Sequence, residues 1–296
     1  MSLDKLLQSE IAGNAASIVL LLSGLPLLLA IMAGWRRKGL GLPYDGAWPA
    51  VTWGRLHWGL PFVLAVFVCQ SLLHQAAGTA ANSLAGPGGL AALPRPTQAV
   101  AGSLATVAHW AIVCGAVLTW LALARKATAA ALGLSTRRLA KSVGYGLVLL
   151  LAAEPLIVAT LAIGNGVHAW LRGPAPGHPV LQSLGQGPQP VQMIVLFVTA
   201  GLVIPFFEEL FFRGILQTTL MRSGSAVAAI TVSSLLFGLV HLPVPTSVVP
   251  LTILGWAMGY AFYRTRSLAS CVAMHSAFNL LSLSLTVLPQ MIRAAH

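Results

Sequence analysis

From Val191 to Arg213 the chain reads VQMIVLFVTAGLVIPFFEELFFR. No charge interrupts this stretch until Glu208 and Glu209, and Arg213 follows one helical turn later. A helix rising 1.5 Å per residue needs about 20 apolar residues to cross a hydrocarbon core. The stretch is long enough to do so, and it carries two adjacent acids into that core.

Seven further apolar runs lie on either side of it, at roughly 16–35, 57–77, 105–124, 143–164, 226–242, 248–263 and 267–288. The expectation is an all-α fold: a polytopic membrane helix bundle with about eight transmembrane helices. Composition agrees, since 57% of the 296 residues are hydrophobic and only 8% are charged. Soluble domains carry about 25% charged residues. The expected organisation is helices and loops over 1–190, a core over 191–288 and a short tail over 289–296. Two connections, 78–104 and 165–190, are long and rich in Gly, Ala and Pro. The region before the first run carries Asp4, Lys5 and Glu10, and the run itself can span, so a cleaved signal is not expected.

The net charge of +11 does not indicate a nucleic-acid partner, because the basic residues form no single patch. Arg36-Arg37-Lys38, Arg125-Lys126, Arg137-Arg138 and the pair Arg264 and Arg266 sit between apolar runs. With eight spans these groups, with Arg55, Lys141 and Arg222, share one side, whereas the opposite loops hold only Arg95 and Arg172. The positive-inside rule then puts both termini outside the cytoplasm. Trp35, Trp53 and Trp58 flank the first basic loop as an interfacial aromatic belt. The partners expected are the lipid bilayer and a membrane-anchored protein or peptide. The location expected is that of a multi-pass integral membrane protein, in the plasma or inner membrane if the source is bacterial. Cys69, Cys114 and Cys271 lie in apolar runs, fit no metal or disulfide spacing, and read as small hydrophobes.

The chain has six acids: Asp4, Glu10, Asp45, Glu154, Glu208 and Glu209. A charge at the bilayer centre costs at least ~2.5 kcal/mol, so an adjacent pair there calls for a function. Glu209 and Arg213 are four residues apart and share a helix face, while Glu208 is turned about 100° away. Arg213 neutralises Glu209 and leaves Glu208 freer to take a proton.

Histidines complete the pattern. Phe237 and His241 share a face at the end of the sixth run, and His275 and Asn279 share one on the eighth. The fifth and sixth runs form a hairpin about Ser223-Gly224-Ser225. Equal distances from that turn put Glu208 and His241 within about 2 Å of one level. His275 joins them if the hairpin extends some two turns beyond the membrane. A carboxylate activating water, a histidine holding that water, and a histidine with an amide at the developing oxyanion would together hydrolyse a peptide bond. The same groups leave zinc open as an alternative, held by His241 and His275 with a Glu. The chain has no His-Glu-x-x-His stretch, which favours the metal-free version.

Glu-Glu-x-x-x-Arg, Phe-x-x-x-His and His-x-x-x-Asn, in this order on separate helices, resemble the CAAX protease and bacteriocin-processing family of intramembrane endopeptidases. The type II CAAX prenyl endopeptidases belong to that family. The resemblance covers about 191–288. It implies that Glu208 activates water with His241, that His275 and Asn279 form the oxyanion site, and that Glu209 and Arg213 support Glu208. It does not decide between zinc and a metal-free reaction, and it does not require a prenylated substrate.

Two other classes compete. A proton-coupled transporter would use Glu154, Glu208 and Glu209 as a relay, but no repeated halves are visible. A non-enzymatic immunity or scaffold protein of the same fold would not need the full set of Glu208, His241, His275 and Asn279. Glu154 is expected to pair with a polar group of the bundle or to line a substrate path. His57, His74 and His109 are read as packing or interfacial residues, and Pro205 as a kink that opens space for water.

Overall fold

A computed structural model describes residue 26 and residues 59–125, 129–134, 138–173, 189–223 and 225–294. The run expected at 16–35 apart from residue 26, the loop 36–56, His57, Trp58, Lys126, Arg137 and all of 174–188 lie outside the described residues. Every described element is helical, and no strand occurs among the described residues.

Among the described residues seven helices longer than one turn follow in order. Helix α1 is Gly59–Leu84, α2 is Arg95–Arg125 and α3 is Leu139–Arg172. Helix α4 is a composite: Pro190–Val198 is α-helical, Thr199–Val203 is π-helical, Ile204–Glu209 returns to α, Leu210–Gln217 is π again, and Thr218–Ser223 ends it. Helix α5 is Ala226–Leu239, α6 is Val248–Thr265 and α7 is Leu268–Ala294.

Among the described residues, four segments are long and apolar enough to cross a membrane: Val100–Thr119, Leu139–Arg172, Pro190–Met221 and Leu268–Leu288. They correspond to the expected third, fourth, fifth and eighth spans, and they make the chain an integral membrane protein. The expected second, sixth and seventh spans fall on α1, α5 and α6. Of these, α5 has 14 residues and α6 has 18. Helix α5 stops at Leu239 rather than 242. Pro243 cannot donate the next helical bond, and His241 and Leu242 turn back to Gly238 and Leu239 in the tighter i→i+3 pattern.

Helix boundaries follow from local chemistry. Ser225 opens α5, its side chain accepting from the Ala228 amide at 3.1 Å. Arg266, at φ 53°, closes α6 in the left-handed conformation, with its amide on the Phe262 carbonyl at 2.8 Å. The chain then enters α7 with the Leu268 amide bonded to the Gly133 carbonyl.

Helix α3 lies between α6 and α7. At Gly146 the helices touch so closely that a Cβ would overlap the Ser270 carbonyl. The core is aromatic where it meets α4. Trp110 of α2 packs on Phe211 at 5.8 Å between centroids, Phe211 on Phe212 at 5.2 Å, and Phe212 on Phe237 of α5 at 5.2 Å. The last two pairs are edge-to-face, the arrangement that aligns ring edges with neighbouring π faces. This chain of rings ends beside two histidines.

Candidate active site

Glu209 and Arg213 form the innermost ion pair. Arg213 Nη1 donates to Glu209 Oε1 at 2.8 Å, and both side chains are fully buried. A guanidinium there needs every available acceptor. Its Nη2 donates to the Gly255 carbonyl of α6 at 3.1 Å, and its charge lies 4.6 Å from the centroid of the Phe237 ring. Gly255 eases this approach: a Cβ there would stand 3.3 Å from Nη2 and 3.2 Å from Ser234, closer than most such contacts.

His275 of α7 bridges the two glutamates. Its Nδ1 lies 2.8 Å from Glu209 Oε1, and its Nε2 lies 3.7 Å from Glu208 Oε2. A carboxylate shared with Arg213 only accepts, so Nδ1 carries the hydrogen and Nε2 faces Glu208. Glu209 therefore orients His275, as well as pairing with Arg213. The distance from Nε2 to Glu208 is too long for a hydrogen bond, and such contacts shorten when substrate is bound.

His241 comes to the same place through the end of α5. Its own amide turns to Gly238, so the Phe237 carbonyl loses its helical donor, and the His241 ring fills the gap with Nδ1 at 2.9 Å. A carbonyl only accepts, so Nδ1 is the protonated nitrogen and the neutral ring has its lone pair on Nε2. The Phe237 ring stands between the histidines, 5.2 Å from His241 and 5.4 Å from His275.

Asn279 lies one turn beyond His275. Its Nδ2 donates to the Ala200 carbonyl in the first π segment at 2.8 Å. The structure thus brings Glu208, Glu209, Arg213 and His275 into direct contact, places His241 against their shared aromatic neighbour, and ties Asn279 to the backbone of α4.

Three participants were not visible in the sequence: the Gly255 carbonyl, the Ala200 carbonyl, and the π segments flanking Ile204–Glu209. Pro205 was the one available signal for the last of these. Glu154 is buried in α3, and its Oε1 has no hydrogen-bond partner among the described residues, so the pairing expected for it is absent at that atom. His109 packs edge-on against Trp110 at 5.6 Å, as a packing histidine should.

Four-coordinate zinc takes three or more protein ligands at about 2.0–2.3 Å. Among the described residues no three His, Cys, Asp or Glu side chains are grouped to hold a metal ion. Both Nδ1 atoms are turned to oxygen acceptors, so Nε2 is the nitrogen that each ring would offer to a water or a metal.

The comparisons with known proteins bear on the same segment. A family model described as type II CAAX prenyl endopeptidase Rce1-like matches residues 190–281. Residues 190–281 resemble this family. The Rce1-like segment begins with α4 and contains both glutamates, Arg213, both histidines and Asn279. It covers roughly a third of the chain, and α1 to α3 lie outside it. No curated protein and no solved structure matches the chain.

Proposed function

We propose that this protein is an intramembrane endopeptidase that hydrolyses a peptide bond in a membrane-anchored protein or peptide. The observation that carries the reading is the buried chain Arg213–Glu209–His275–Glu208, with contacts of 2.8, 2.8 and 3.7 Å. A structural ion pair needs only Arg213 and Glu209. The imidazole aimed at a second, adjacent carboxylate adds a proton path.

In this reading Glu208 takes a proton from the attacking water, and His241 Nε2 accepts the water's other hydrogen. The water oxygen bonds to the scissile carbonyl carbon, and negative charge moves to the carbonyl oxygen. Glu208 passes its proton to His275 Nε2. The imidazolium, held at Nδ1 by Glu209, donates to the oxyanion and then to the departing amine as the C–N bond breaks. Asn279 donates an amide hydrogen to the Ala200 carbonyl, so the His275 imidazolium is the donor that meets the oxyanion. No metal is required at any step. We further read the chain as multi-pass, with the helix ends and turns that carry Arg138, Lys141, Arg264 and Arg266 on the cytoplasmic side.

The test is cleavage of membrane-anchored reporters, one anchored by a farnesylated C-terminal CAAX-type peptide and one by an apolar helix. Wild type is compared with Glu208→Ala in the same membranes. Loss of the cleaved product in the variant is expected for whichever reporter is cut. Equal cleavage by both proteins would remove Glu208 from the role of base.

A further inference from the structure

The first π segment of α4 contains a gap in its backbone hydrogen bonding, and a side chain of α7 fills it. Ile204 donates its amide to the Thr199 carbonyl, five residues back. The next carbonyl, that of Ala200, would look to Ile204 in an α-helix or to residue 205 in a π-helix. Ile204 is already committed, and residue 205 is proline, which has no N–H. A carbonyl left unpaired in hydrocarbon is costly. Asn279 Nδ2 meets it at 2.8 Å.

Other contacts at the segment are equally close. Thr199 Oγ1 donates to the Val195 carbonyl at 2.6 Å and lies 3.3 Å from Ser103 Oγ of α2. Gly201 is buried, and a Cβ there would stand 3.2 Å from Leu280 Cγ of α7. The π turn is therefore held by α2 on one side and α7 on the other. Only Ile204–Glu209 separates this turn from the second π segment, and that short piece carries Glu208.

We propose that Asn279 is a positioning residue: its amide replaces the backbone donor that Pro205 removes, and so fixes the register in which α4 presents Glu208 to His275. The bond joins a point two turns before Glu208 to a point one turn after His275. It sets both the rotation and the height of α4 on α7. Without it the bulge can migrate along α4, and each residue it passes turns Glu208 relative to the imidazole. The kinetic part of this inference rests on the endopeptidase reading; the structural part does not.

The experiment exploits the cause of the gap. Pro205→Ala restores an N–H within reach of the Ala200 carbonyl, so a true positioning role for Asn279 becomes dispensable in that background. Wild type, Asn279→Ala, Pro205→Ala, the double variant and Glu208→Gln are purified in detergent. They are assayed on a quenched, farnesylated CAAX-type peptide and by amide hydrogen exchange over residues 199–206. Asn279→Ala is expected to lower kcat about tenfold to a hundredfold, with KM changed by no more than about threefold, and to speed exchange over the segment. The double variant is expected to recover kcat to within about threefold of Pro205→Ala and to regain slow exchange. A role confined to the oxyanion predicts no rescue, so a double variant as slow as Asn279→Ala, or unaltered exchange in Asn279→Ala, overturns the proposal. Wild type that leaves both this peptide and one anchored by an apolar helix intact, or Glu208→Gln that cuts at the wild-type rate, counts against the endopeptidase reading instead, and the exchange arm still decides the positioning.

Discussion

Replacing Arg213 with methionine removes the guanidinium while keeping a side chain of similar length and apolar character. The change deletes the 2.8 Å bond to Glu209 and the 3.1 Å bond to the Gly255 carbonyl, in a setting where neither charged partner has any exposure. Glu209 would then hold a buried charge beside His275 alone of its two hydrogen-bonded side chains, and its Oε2 already has no hydrogen-bond partner among the described residues. Breaking one side of a buried ion pair costs about 3–5 kcal/mol. At about 2–4 °C per kcal/mol for a chain of this size class, the Tm in detergent should fall by roughly 6–20 °C. The double variant Arg213→Met with Glu209→Gln removes both charges, and most of that loss should return. Catalysis should stay low in the double variant, because His275 Nδ1 no longer meets a carboxylate. Differential scanning fluorimetry of the four proteins in the cycle measures this directly. A fall of less than about 2 °C in the single variant, or a double variant no more stable than the single, would refute the pairing argument.

Three other outcomes are expected. Glu154→Leu removes a buried carboxyl whose Oε1 has no partner among the described residues, and it should raise stability by about 1–3 kcal/mol in the same thermal assay. A drop in Tm would show that Glu154 is held by interactions of its own. Gly146→Val should lower stability by about 1–3 kcal/mol or more, because its Cβ meets the Ser270 carbonyl and Met274, and backbone cannot yield as a side chain can. Treatment with 1,10-phenanthroline should leave the cleavage rate within about twofold, whereas a strong loss restored by added zinc would replace the metal-free scheme.

The i,i+4 relation of Glu209 and Arg213, and the isolation of two acids in an apolar run, were legible because both are properties of one helix. The relation of His275 to the glutamates was legible only as a matter of depth. Which nitrogen meets which carboxylate depends on the rotation of α7 against α4, and no local pattern sets that. His241 was expected on the sixth helix, yet it sits just past the end of α5, and its ring is oriented by a carbonyl that the tighter turn leaves unpaired. Asn279 was expected at the oxyanion, and its bond to Ala200 was hidden because it depends on a π turn. Pro205 hints at such a turn, but a proline within a helix is equally compatible with a plain kink. One apolar run marked one helix in α3, but the helix extends from Leu139 to Arg172, well past the expected 143–164. The ends of α5 and α6 were legible to within about three residues, whereas the close packing that small residues such as Gly255 allow was not.

The central claim is that Glu208 and His275 move a proton together during hydrolysis. The most direct measurement is the single-turnover cleavage rate of a membrane-anchored quenched peptide in proteoliposomes, for wild type and Glu208→Gln, with Tm recorded for each. The account predicts a loss of about a hundredfold or more in rate with Tm nearly unchanged. A variant that cleaves at the wild-type rate would contradict it.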